Sequence, residues 1–104
     1  MGMFDMLGKL GEMKTKMEEM KKRLDTVYVN GEAGNGKIMI ELSANRTVKK
    51  ISIADELVHP DRKEELIDLL EIALGKALEN ANAVSEAEMK AAGKDLLPNI
   101  PGLF

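Results

Sequence analysis

At 104 residues, with 32% charged side chains and no cysteine, the chain has the length of one domain and lacks the means for disulfides, thiol catalysis or the usual zinc sites. Its only aromatic residues, Phe4, Tyr28 and Phe104, are too few for a base-stacking platform, and no run approaches the ~18 apolar residues of a membrane span or the apolar stretch of a signal peptide. The net charge of −3 argues against a generic polyanion binder, yet residues 1–53 hold ten Lys/Arg against seven Asp/Glu while residues 54–104 hold five against eleven, so a basic face can act locally within a screening length of about 10 Å.

Met3, Met6, Leu10, Met13, Met17, Met20, Leu24 and Val27 recur at alternating gaps of three and four. This heptad seam predicts a first helix over about residues 4–26, packed lengthwise on another helix. Gly8 and Gly11 lie off the seam and weaken its first turns by roughly 1 kcal/mol each. A helix of that length spans roughly 37 Å, whereas a compact 100-residue domain has a radius of gyration of about 13 Å. One end must therefore protrude, or a second copy must cover it, and a homodimer is expected. Leu10, Met13, Met17, Met20 and Leu24 form the expected dimer or helix seam. Methionines at helical spacing point to packing here rather than to a promiscuous groove.

With Met3, Leu10, Met17 and Leu24 at heptad position a, Lys9, Lys16 and Arg23 fall at g and Lys14 and Lys21 at e. Every charge flanking the seam is positive, so parallel self-pairing would repel. Helix 1 is expected to pack on the second helix or to run antiparallel, leaving its basic edges available to phosphates. Glu12–Lys16, Glu18–Lys22 and Glu19–Arg23 are helical i,i+4 pairs in the favourable order, so solvated pairing is the competing account of the same charges.

Val27-Tyr28-Val29 reads as a short strand, and Asn30 to Gly36 as a glycine-rich turn whose glycines supply positive φ. Lys37 to Leu42 alternates as a half-buried strand. Ser43 to Arg46 is a turn, and Thr47 to Ile53 is a third strand in which Ile51 and Ile53 share a face. Three strands with short connections make an antiparallel meander. Arg46, Lys49 and Lys50 form a second basic cluster, which an edge strand could also carry to block aggregation. Ala54 to His59 connects to a second helix over about residues 60–92, with Pro60 at its first position and Gly93 as its stop. The Leu-rich first half should cover the sheet, and the alanine-rich second half, with Asn80 on the stripe, should make a thinner arm. The apolar tail 93–104, broken by Pro98 and Pro101, should dock in a groove or stay loose.

Nothing in the chain demands catalysis. His59, the single histidine, sits beside Pro60 without a placed nucleophile and reads as a capping residue. Gly31-x-x-Gly34-x-Gly36-Lys37 lacks the hydroxyl residue and the following helix of a phosphate cradle. No cofactor, metal or small-molecule substrate is expected.

The helix Leu10–Leu24, the stretch Val29-Asn30-Gly31-Glu32-Ala33-Gly34-Asn35-Gly36 entering the strand Lys37–Leu42, the strand Val48–Ile53, the Leu/Ala helix after it and the Leu97-Pro98…Pro101-Gly102 tail together resemble the YbaB/EbfC family of bacterial nucleoid-associated proteins. The resemblance implies an α+β fold with an α-β-β-β-α subunit. It also implies a cytoplasmic homodimer whose sheets join in a central body with projecting helical arms, and binding of double-stranded DNA with little sequence preference, which organises the nucleoid and modulates expression. By charge, the expected contacts are Lys14, Lys16, Lys21, Lys22, Arg23, Arg46, Lys49 and Lys50. The acidic second helix departs from a uniformly DNA-attracting surface. The alternative is a non-enzymatic adaptor that holds a protein partner through the methionine seam and the apolar tail.

Overall fold

α1 (Met3–Leu24) leads into three strands, β1 (Tyr28–Ala33), β2 (Ile38–Ser43) and β3 (Val48–Ile53), and then into α2 (Lys63–Leu96). This is the α-β-β-β-α order that the patterning predicts. The computed structural model describes the backbone of residues 3–96 and the side chains of residues 8–91. The proline-broken tail from Leu97 onward lies outside the described residues.

The sheet is antiparallel in the order β1-β2-β3. Gly31 lies opposite Ile40, and Ile40 opposite Ile51. Glu41 pairs with Lys50 while Leu42 pairs with Val48, which leaves Lys49 as the extra residue of a β-bulge. β1 runs further than the expected Val27–Val29. Asn30-Gly31-Glu32 carries turn-forming residue types, yet it pairs in full with β2, and the turn is confined to Gly34–Lys37. There Gly34, Asn35 and Gly36 take φ of 65°, 57° and 84°, the left-handed region that glycine and asparagine enter most readily.

Gly31 has a different cause from these turn glycines. Alternation places Val29, Gly31 and Ala33 of β1 on the same face as Ile38, Ile40 and Leu42 of β2, and the main core forms there with Leu57, Ala73 and Ala77. Ala73, Ala77 and Ala81 recur every four residues and expose no surface. Their small side chains let the backbone of α2 lie directly on β1. A Cβ on Gly31 would stand 2.1 Å from the Ala73 carbonyl oxygen and 2.3 Å from the Ala77 nitrogen. Asn80, the polar residue on the stripe, donates from Nδ2 to the Asn30 carbonyl at 2.7 Å and so satisfies an acceptor of the edge strand.

The close contact with β1 draws α2 away from β3, which lies two strand spacings, roughly 10 Å, across the sheet. The Leu-rich half of α2 therefore covers β1 and β2 but not the whole sheet as expected. Val48 and Ile51 of β3 remain 53% and 52% exposed, and Ile67 and Leu74 of α2 44% and 40%. With Ile40 and Leu70 they line a shallow groove of about 320 Å³.

The helix limits also differ from expectation. α1 ends at Leu24, where Asp25 and Thr26 turn and the Thr26 hydroxyl donates to the Arg23 carbonyl at 2.7 Å. Pro60 opens a 3-10 turn, Pro60–Arg62, before α2 begins; His59 caps it, accepting at Nδ1 from the Asp61 N–H at 3.2 Å. α2 passes through Gly93 to Leu96. A helical glycine costs only about 1 kcal/mol, and good helix formers (Ala91, Ala92 and Lys94) surround it.

Arg62 clasps the start of α2. Its Nε and Nη2 both donate to the Glu65 carboxylate at 2.9 Å, and Nη1 donates to the Glu56 carbonyl at 3.0 Å. The hydrogen-bonded guanidinium holds the Glu65 carboxyl below its ordinary value of 4.5. A carboxyl depressed in the fold stabilises it above the unfolded value, and that contribution is lost as pH falls through the folded value. The stability difference between wild type and E65Q in urea titrations is therefore expected to be full at pH 7 and to shrink steadily as pH falls below the glutamate range. A difference that stays constant with pH would contradict the clasp.

Candidate nucleic-acid interface

A second, smaller core anchors the long helices to each other. Met20, Leu24 and Ala44 are buried together, with Met17, Val27 and Val84 packed against them. The last turns of α1 thus rest on α2 and on the β2–β3 turn. Towards its N-terminus α1 loses this cover: Met13 is half-buried and Leu10 is 58% exposed. The structure measures 69 × 25 × 17 Å, with a radius of gyration of 19.6 Å, far from the ~13 Å of a compact domain of this length.

Helical periodicity sorts the candidate cations into separate edges. With Met13, Met17, Met20 and Leu24 on the buried side, Lys14 and Lys21 flank one edge, Lys16 and Arg23 flank the other, and Lys22 faces outward. Asn45 marks the first of these edges: its Nδ2 donates to the Lys21 carbonyl at 2.7 Å and to Asp25 Oδ1 at 2.8 Å. The second edge faces α2, where the Arg23 guanidinium pairs with the Glu88 carboxylate. Lys50 lies on the open face of the sheet opposite Glu41, and Lys49 sits at the bulge. Arg46 adopts φ of 69° at the β2–β3 turn, and its Nη1 donates to Asn82 Oδ1 at 2.9 Å. The candidate residues therefore form a basic helix with two edges and a separate pair on β3, not one continuous patch.

Two classes of cation emerge. Arg23 and Arg46 are engaged by side chains of α2. Lys14, Lys16, Lys21, Lys22, Lys49 and Lys50 are all exposed, and none of their ammonium groups makes an ion pair with another described residue. The i,i+4 glutamates of α1 do not close on them. Asn45, Asn80, Asn82 and Glu88 were not singled out as contacts by the spacing of charges; of these only Asn80 carried a signal, as a polar residue on an apolar stripe.

The chain matches the YbaB/EbfC DNA-binding family over residues 1–96. A nucleoid-associated protein of Flavobacterium johnsoniae is 43% identical over 103 residues, covering 99% of this chain and 95% of the relative. A nucleoid-associated protein of Dictyoglomus turgidum is 36% identical over 101 residues, covering 97% and 96% respectively. The fold is similar to the crystal structure of an uncharacterized protein from Helicobacter pylori, with a TM-score of 0.76 at 21% identity over 92% of this chain and 98% of the other. A match spanning nearly the whole chain, on an α-β-β-β-α subunit with exposed lysines along α1, places the protein: it belongs to the YbaB/EbfC DNA-binding family.

Proposed function

We propose that this chain is a homodimeric, non-enzymatic protein that binds double-stranded DNA by neutralising phosphates, with little sequence preference. It would act in the cytoplasm at the nucleoid and modulate expression there. The observation that carries this reading is the set of exposed lysines along α1 that pair with no described residue, in a chain of a DNA-binding family. From Lys9 to Arg23 the helix covers roughly 21 Å, a length over which duplex DNA presents about twelve phosphate charges. Flexible ammonium groups without an internal partner suit phosphates as point charges and carry no base code.

The second copy is supported by the groove beside β3. Val48, Ile51, Ile67 and Leu74 form a contiguous apolar surface next to a sheet edge that no other described element covers, a combination that marks an interaction site. Pairing there doubles the basic surface by two-fold symmetry.

A salt series on labelled duplex, with sizing of the free protein, tests both parts. The logarithm of the binding constant is expected to fall linearly with the logarithm of salt, at about −0.9 per phosphate neutralised, and duplexes of unrelated sequence should follow one line. The free protein should elute as a dimer. An affinity that does not change with salt would sink the phosphate mechanism, and a monomer at micromolar concentration would sink the shared surface.

A further inference from the structure

We propose that Glu88 is an internal competitor for the phosphate that Arg23 would hold, so that the acidic face of α2 tunes the affinity of the α1 interface. The inference rests on the reading above that α1 binds duplex DNA. Among the candidate cations, Arg23 is the one that pairs with a carboxylate of the described residues. The Arg23 side chain is 58% exposed and that of Glu88 34%, so the pair sits at the surface and can open. Carboxylate and phosphate oxygens are acceptors of the same kind, and a guanidinium fork takes either one. They compete for the same donor.

The exchange has an ionic consequence. When Arg23 leaves Glu88 for a phosphate, one DNA counterion is released but a bare carboxylate remains beside the duplex and recruits a cation from solution. Arg23 then adds little to the net ion release that drives binding. Arg46 differs, because its partner is the neutral Asn82 amide and its exchange leaves no uncompensated charge. Glu86 is the matched control. It lies on the same helix two residues away, is exposed, and makes no ion pair with a described residue.

The test is a titration of one labelled duplex with the full chain at several salt concentrations, for wild type, E88Q, E86Q, R23Q and the R23Q/E88Q double variant. E88Q is expected to bind two- to about fivefold more tightly per protomer, the scale of one exposed ion pair, with a salt slope steeper by up to about 0.9 per protomer. E86Q should give a smaller gain and leave the slope unchanged. In the R23Q background, E88Q should gain no more than E86Q gains in wild type. An E88Q protein that matches E86Q, binds more weakly than wild type, or keeps its gain without Arg23 would overturn the competitor alone. A wild-type protein that binds no duplex at any salt would overturn the DNA-binding reading and the competitor with it.

Discussion

Replacing Gly31 with alanine is expected to cost about 3 kcal/mol or more, at or beyond the upper end for overpacking a well-filled core. The added Cβ would meet the Ala73 carbonyl oxygen at 2.1 Å, the Ala77 nitrogen at 2.3 Å and the Ala77 Cα at 2.9 Å. All three are backbone atoms of one helix, so no rotamer change relieves the clash. α2 must lift off β1, and the lift opens the Ala73–Ala77–Ala81 contact and breaks the Asn80–Asn30 hydrogen bond. A domain of this size has about 5–15 kcal/mol in all, so the loss should show as a drop in melting temperature of at least about 10 °C, read at fixed protein concentration. Two controls isolate the cause. Gly11 in α1 has nothing within 4 Å of its Cβ position, and Gly11→Ala should stabilise by roughly 0.5–1 kcal/mol through helix propensity. Trimming Ala73 or Ala77 to glycine in the Gly31→Ala background should give no rescue, because the obstructing atoms remain. A Gly31→Ala protein that melts with wild type would remove this contact as the organiser of the fold.

That contact also explains what was legible in the sequence and what was not. The heptad seam of α1 and the alternation of β2 are periodic signals, and both elements form on them, with α1 ending at Leu24, one seam position short of Val27. β1 was foreshortened because Asn30-Gly31-Glu32 carries the composition of a turn. The glycine is there for the helix above it, a partner more than forty residues away that no local pattern names. The same long-range contact displaced α2 from β3, so the shared face of Ile51 and Ile53 could be read from alternation while its cover could not. Placing the basic residues on the flanks of the seam followed from spacing alone. That Arg23 would meet Glu88, and Arg46 would meet Asn82, depended on how two helices cross, which charge counting does not encode. The lysines are exposed, as their places on the flanks and outer face of the helix predict, since an ammonium group in solvent needs no tertiary partner.

Reversing three lysines of α1 is the decisive mutation for the proposed interface. K14E/K21E/K22E changes one flank and the outer face of the helix, where the side chains are exposed and make no ion pair with described residues. The circular dichroism should remain that of the folded protein, with melting lowered modestly, because Lys21 and Lys22 lie in the last turn of α1, where a glutamate opposes the helix dipole by about 0.3–1 kcal/mol. Binding should change strongly. A non-specific dissociation constant of about 10⁻⁴–10⁻⁶ M spread over six to ten phosphate contacts amounts to about 0.5–1.4 kcal/mol each. Reversal removes that attraction and adds repulsion, so the triple variant should bind at least about 10²-fold more weakly at low salt. Its salt slope should flatten by about one for each lysine lost. The loss should be uniform across unrelated duplexes, because phosphate contacts carry no sequence information. K49E/K50E is the informative comparison. Lys50 lies opposite Glu41 in the strand register, and a carboxylate on the neighbouring strand makes the local potential less attractive to a phosphate without pairing the lysine, so reversal there should cost less per residue than on α1. If instead the β3 pair dominates, the duplex is held by the sheet and the projecting helix serves another purpose.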